Sequence, residues 1–327
     1  MRILDFSRRV LGICAAVTMP AACAPGAMPQ TSARATHAER GEQTFSFTGE
    51  PQTFVVPRGV KRIKVTAYGA STNSARGAQI AATIPVTPGE SLTVVVGGSP
   101  KGRASGFNGG GDGGEAQTCG RCIGSGGAGA SDMRENGSKL SDRVIVAGGA
   151  GGEGGDGIHP RGYHGFWNED GRGGHGGDGG LHALAGKPGT ILPTSQGATG
   201  GYGGTGATAA KGGRGGAAGE AGASCWSGSR GNRGGVGVGG SGGINAGELA
   251  LRYQPSGCGS CTSGAGGGGG GGYFGGGGGG GGGSECEGGG GGGGAGGGSS
   301  YVEKTATGVT SRNGGAGEGP GEIIISW

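Results

Sequence analysis

Residues 126–157 read GGAGASDMRENGSKLSDRVIVAGGAGGEGGDG. The strand-like stretch Arg143-Val144-Ile145-Val146-Ala147 lies between two runs that are mostly glycine. Glycine brings no side chain to bury and loses more backbone entropy on ordering than any other residue. A strand placed there must find its core elsewhere in the chain, and the glycine around it must be disordered or held by main-chain hydrogen bonds. Of the 327 residues 98 are Gly, with 31% hydrophobic and 5% aromatic content, so any packed interior comes from a minority of the positions.

Upstream, that minority is patterned. Phe45 and Phe47 alternate with polar neighbours, and Phe54-Val55-Val56 follows Gly49-Glu50-Pro51. Ile63, Val65 and Ala67 alternate with Lys64, Thr66 and Tyr68; Ile80, Ala82, Ile84 and Val86 repeat the period, as do Leu92, Val94 and Val96 after Pro88-Gly89. A period of two between Pro/Gly turns predicts strands with one buried face. Downstream, the signal recurs weakly at Leu249-Ala250-Leu251 and strongly at the close, Glu322 to Trp327. Strands at both ends of a glycine-rich body predict one antiparallel sandwich of on the order of 100 residues, with the glycine runs inserted between its strands. The reading is mainly β with almost no α-helix, and the insertions cover about 101–142, 148–247 and 256–320.

The insertions carry a period of three. Ala150, Glu153 and Asp156 are spaced so, as are Arg172, His175 and Asp178, and then Tyr202, Thr205, Thr208, Lys211, Arg214 and Ala217. That is the period of the left-handed polyproline-II helix, which brings every third side chain to one edge and lets glycine on the other two edges approach neighbouring backbones. The uninterrupted tracts Gly266–Gly272, Gly275–Gly283 and Gly288–Gly294, about 20–28 Å long at the polyproline-II rise, are expected innermost. A flexible linker is the competing reading. Collagen is excluded, because the repeat lacks a strict Gly-X-Y phase and is nearly free of proline.

The first 22 residues, with Arg2, Arg8 and Arg9 before an apolar run from Val10 to Met19, read as an export signal too short to be a permanent membrane span. Ser7-Arg8-Arg9-Val10-Leu11 also resembles a twin-arginine signal. Cys23, after Pro20-Ala21-Ala22, resembles a bacterial lipobox with Pro where Leu is usual, so lipidation at Cys23 and plain cleavage nearby both stay open. The expected place is the cell surface or outer membrane if Cys23 carries lipid, and the outside medium otherwise. Residues 23–42 read as a tether and 43–327 as the folded module. Without the signal the net charge falls from +4 to +2, too even a balance for a nucleic-acid partner.

The order TFVVPRGVKRIKVTAYGA, ATIPVTPGESLTVVVGG, GGAGASDMRENGSKLSDRVIVAGGAGG, GGGGGGGYFGGGG and GEIIISW resembles the glycine-rich extracellular domain of anaplastic lymphoma kinase and leukocyte tyrosine kinase, a module also found in exported bacterial proteins. The resemblance covers about residues 43 to 327. It implies a tumour-necrosis-factor-like β-sandwich with an inserted bundle of polyglycine-II helices, and a module that in the animal receptors binds a protein ligand. The kinase motifs of those receptors are absent, so no enzymatic activity is carried over.

Cys119, Cys122, Cys225, Cys258, Cys261 and Cys286 form an even set that in an exported chain reads as disulfides, whose pairing the sequence leaves open. The two Cys-x-x-Cys pairs also suit a tetrahedral zinc. Gly151 to His159 fits a calcium nonapeptide without the tandem copies that architecture needs, leaving Asp156 and Asp178 as the calcium candidates. His159, His164, His175 and His182 are irregularly spaced and read as solvated. Gly239-Gly240-Ser241-Gly242-Gly243 fits Gly-x-Ser-x-Gly, which at this glycine frequency arises by chance. No cofactor is expected. The contact candidates are Tyr163, Phe166, Trp167, Tyr202 and Trp226, aromatic side chains in a chain with few of them. The expectation is a non-enzymatic scaffold for adhesion or ligand binding that meets a protein or glycan on a surface. The alternatives are an envelope or matrix component without a specific partner, and a calcium- or zinc-dependent module.

Overall fold

The computed structural model describes residues 40–116, 119–158, 171–191, 197–222, 225–246, 263–285 and 288–327. Its strands are β1 (Glu42–Ser46), β2 (Gln52–Val55), β3 (Arg62–Tyr68), β4 (Gln79–Pro85), β5 (Ser91–Val95), β6 (Ser131–Arg134), β7 (Arg143–Ala147), β8 (Ser284–Glu285), β9 (Gly288–Gly289), β10 (Tyr301–Val302), β11 (Thr307–Arg312) and β12 (Glu322–Ser326). One antiparallel sheet runs β1-β12-β3-β4-β11 and the other β10-β7-β6-β5-β2; β8 and β9 pair separately. No helix among the described residues is long and apolar enough to cross a membrane.

The alternating residues meet between the two sheets. Ile63, Val65, Ile80, Ile84, Ile323 and Ile325 from the first pack with Phe54, Leu92, Val94, Met133 and Ile145 from the second. Each such side chain stabilises the fold by roughly 1.5–3 kcal/mol when fully buried. The final strand inserts between β1 and β3, with Ile324 opposite both Thr44 and Thr66, so the two ends of the module share a sheet.

The strand-like stretch within residues 126–157 is β7. It sits in the interior of the second sheet, between β10 and β6. Ile145 pairs with Met133 and faces the core; Val146 pairs with Asp132, faces the other way, and is buried too. The expectation of one buried face per strand therefore fails for β7, and its neighbour β6 is buried on both faces too, because glycine-rich chain covers their outer face. There Asp132, fully buried, accepts from Arg134 Nε (2.6 Å) and Asn108 Nδ2 (2.8 Å), which leaves neither charge unpaired. Arg143 donates to the carbonyls of Leu140, Gly272 and Tyr273, with its guanidinium 4.9 Å from the Tyr273 ring centre and Tyr273 stacked on Tyr301.

Beyond Ala147 the chain leaves the sheet and enters a lattice of three-fold helices. In the stretch 264–271 successive N–H groups point in three directions. Gly264, Gly267 and Gly270 donate to the carbonyls of Gly290, Gly293 and Gly296; Ala265, Gly268 and Gly271 to Cys122, Ser125 and Ala128; Gly266 and Gly269 to Gly243 and Gly240. Its carbonyls accept in three further directions, from Gly276, Gly279 and Gly282, from Gly149, Gly152 and Gly155, and from Gly111 and Gly114. Rotation by about 120° per residue is what a helix of three residues per turn imposes. Segments 275–283 and 290–298 are surrounded in the same way, and all three are buried along their length. The tracts expected innermost are in the interior.

Glycine is required there by approach distance. A Cβ built on Gly267 or Gly292 would fall against the carbonyl oxygen of Gly152 or Ala265, far inside contact distance. At the rim, where no next helix supplies a carbonyl, side-chain oxygens replace it. Thr190 Oγ1 accepts from Arg172 N (2.8 Å), Thr205 Oγ1 from Arg214 N (2.7 Å), Thr199 Oγ1 from Glu220 N (2.7 Å), Ser229 Oγ from Ile244 N (2.7 Å) and Asp156 Oδ1 from Gly173 N (3.0 Å). An unpaired main-chain N–H is thereby avoided.

The insertions are narrower than the sequence reading drew them. Strand β6 falls inside 101–142, and β10 and β11 fall inside 256–320. β11 is exposed throughout and carries a register shift between Thr307 and Thr310, so it has no buried alternation to announce it. Leu249 to Leu251 lie outside the described residues.

Candidate functional site

Among the described residues, three antiparallel helix pairs lie in the outer layer of the lattice and are bonded across as rungs, mostly of non-glycine residues. In the first, Arg172, His175 and Asp178 bond through the main chain to Thr190, Lys187 and Leu184. In the second, Thr199, Tyr202, Thr205 and Thr208 bond to Glu220, Ala217, Arg214 and Lys211. In the third, Ser229, Asn232 and Gly235 bond to Ile244, Ser241 and Val238. Rungs follow one another at about 9 Å, the advance of one three-residue turn. The local cause is the sequence period: in the first two pairs mostly glycine faces neighbouring helices and every third residue points to solvent, whereas in 228–236 Arg230 and Arg233 stand beside the rung residues Ser229 and Asn232. Tyr202, 55% exposed, stands in the middle of the second pair.

Beside the first pair a groove of about 370 Å³ is lined by Glu153, Asp156, Arg172, His175, Lys187 and Thr190. His175 Nδ1 lies 3.7 Å from Glu153 Oε1. Partial burial pushes the Glu153 carboxyl above the usual range; His175 pulls it down and Asp156 pushes it up further. A second cleft, about 720 Å³, opens where the sandwich meets the lattice, between Ser71, Thr72, Arg76, Ser99, Arg103, Ile123, Ser125 and Glu318. Both of its guanidiniums are already paired, Arg76 with Glu318 and Arg103 with Glu115 at 3.2 Å, so it offers little unspent charge.

The candidate residues scatter over this surface. Asp156 and Asp178 are two helical turns apart along the rungs, about 19 Å, and each carboxylate is occupied by a main-chain N–H, that of Gly173 or of Arg76 (2.7 Å). They are not brought together as a calcium pair. Cys119 and Cys122 are joined as a disulfide, which takes up the two thiols that a zinc site would have used. Cys225 is half-buried; Cys258, Cys261 and Cys286 lie outside the described residues, as do Tyr163, Phe166, Trp167 and Cys23. Trp226 is half-buried, and its carbonyl accepts from Ser284 N (3.1 Å). Among the described residues no three His, Cys, Asp or Glu side chains converge as metal ligands.

The sequence reading missed Arg230 and Arg233. They are exposed on the helix that donates from Gly231 and Gly234 to Gly216 and Gly213, and so flank the second pair. The signal was present in the three-residue spacing of Arg230, Arg233 and Val236. A search against protein-family models and a search of curated proteins each find no match to the chain.

Proposed function

We propose that the protein is a non-enzymatic, exported display scaffold that uses the outer rungs of its lattice for adhesion or ligand binding. The observation that carries this reading is the division of labour within each three-residue turn. All positions bond through the backbone, but glycine lets neighbouring helices close in while the outermost position carries a side chain into solvent, so the interior is built almost without side chains and the outer layer presents them on a fixed grid. A site held by a rigid backbone spends little entropy on ordering when it binds. The export signal read in residues 1–22, and the resemblance to a glycine-rich receptor ectodomain, agree with a place outside the cell. Lipid attachment through Cys23 would hold the module at a membrane surface.

The test is capture of beads coated with the full chain on cell-surface, protein and glycan arrays, with wild type beside Tyr202→Ala. The proposal expects selective capture that the substitution weakens while the melting temperature holds. Capture nowhere, or capture indifferent to every rung substitution, would leave the chain as a structural component.

A further inference from the structure

The second helix pair and the helix beside it form one register. Tyr202 N donates to Ala217 O (3.0 Å) and Thr205 N to Arg214 O (2.9 Å). On the other side Gly231 N donates to Gly216 O and Gly234 N to Gly213 O, both at 3.0 Å. The rows therefore align as Tyr202-Ala217-Arg230, Thr205-Arg214-Arg233 and Thr208-Lys211-Val236. Lys211, Arg214, Arg230 and Arg233 are exposed. None of them has a carboxylate partner among the described residues. Along each helix the cations are about 9 Å apart.

We propose that this face binds a linear anionic polysaccharide, a polyuronate being the simplest example. The inference rests on the display reading above and gives that surface its ligand class. A polyuronate carries a carboxylate on every sugar, so every second carboxylate recurs at about the interval of one helical turn. The exposed Tyr202 ring offers a flat, electron-rich face to the C–H groups of a sugar. Small Ala217 leaves room between that ring and Arg230, and the Thr199 and Thr205 hydroxyls, already fixed by accepting from main-chain N–H groups, keep a proton to donate. Nucleic acid fits less well. Its charge density is far higher, about one per 1.7 Å of duplex, and a single tyrosine gives no series of stacking platforms.

The experiment measures binding of the full chain to alginate, to neutral dextran and to oligo(dT), by calorimetry at low and high salt. The expected result is alginate binding that weakens with salt, with dextran ignored. The double reversal Arg214→Glu/Arg233→Glu should reduce affinity by at least about tenfold at an unchanged melting temperature. Tyr202→Ala should reduce it severalfold without changing the salt dependence. Arg58→Glu/Lys61→Glu, the same charge change on the sandwich, should leave binding intact. No alginate binding by folded wild type, full binding by the Arg214/Arg233 variant, or tighter binding of oligo(dT) each overturns the proposal. If arrays still capture the wild type in those cases, the display reading survives; if they do not, both fall together.

Discussion

Substituting Gly279 by alanine tests the lattice at its centre. A methyl carbon built there lies 1.9 Å from the Gly293 oxygen, 1.5 Å short of the 3.4 Å at which ordinary contact begins. The obstacle is backbone, so no rotamer change relieves it. The Gly293 carbonyl also accepts from Gly267 N at 3.0 Å, and the two helices are tied by Gly290, Gly293 and Gly296 donating to Gly283, Gly280 and Gly277 at 2.8–2.9 Å. Parting them by more than 1 Å weakens all of these. At about 1 kcal/mol net for each buried bond the cost is roughly 4 kcal/mol, offset by up to about 1 kcal/mol because alanine loses less entropy on folding. The net, about 3 kcal/mol, corresponds to a fall in melting temperature of roughly 6–12 °C for a module of this size. Gly317→Ala is the control, since a Cβ there meets nothing within 4 Å. Calorimetric melting of the two variants should separate them clearly. Equal melting temperatures would refute close main-chain packing as the reason for glycine.

Two further expectations concern the residue that begins β7 and the one that follows β6. Arg143→Lys keeps the charge but loses the planar fork that reaches Leu140, Gly272 and Tyr273 together, and denaturant unfolding should show a loss of about 2–3 kcal/mol. Burial, then the neighbouring Glu90 and Glu303, raise the Glu135 carboxyl above its ordinary range. A carboxyl raised on folding binds its proton more tightly in the native state, so its charged form opposes folding above that raised value and the penalty vanishes below the unfolded value. Glu135→Gln should therefore melt higher than wild type at neutral pH, with the gap closing below about pH 4; a gap independent of pH would contradict this.

How much of this could be read from the sequence depended on whether a segment's neighbours were apolar or backbone. β3, β4, β5 and β12 announce themselves by alternation because one face meets a hydrocarbon core. β6, SDMR, does not, because Asp132 and Arg134 are buried against each other under chain that arrives from Asn108. The three-residue spacing of Tyr202 to Ala217 showed which side chains share an edge. It could not show that Arg233 stands beside Arg214, since that register is set by hydrogen bonds between glycines carrying no distinguishing mark. The bond between Cys119 and Cys122 was one of several open pairings for a similar reason.

The three-direction cycle of N–H groups also governs how such a chain can change length. Inserting one glycine in an interior tract moves every later residue to the next position of the helix, a third of a revolution round, so the backbone bonds can be remade but outward side chains swing into the packing. Inserting a triplet restores the phase and merely makes a column taller. The lattice thus has a reading frame of its own at the level of shape, and variation among such molecules is expected to accumulate in steps of three.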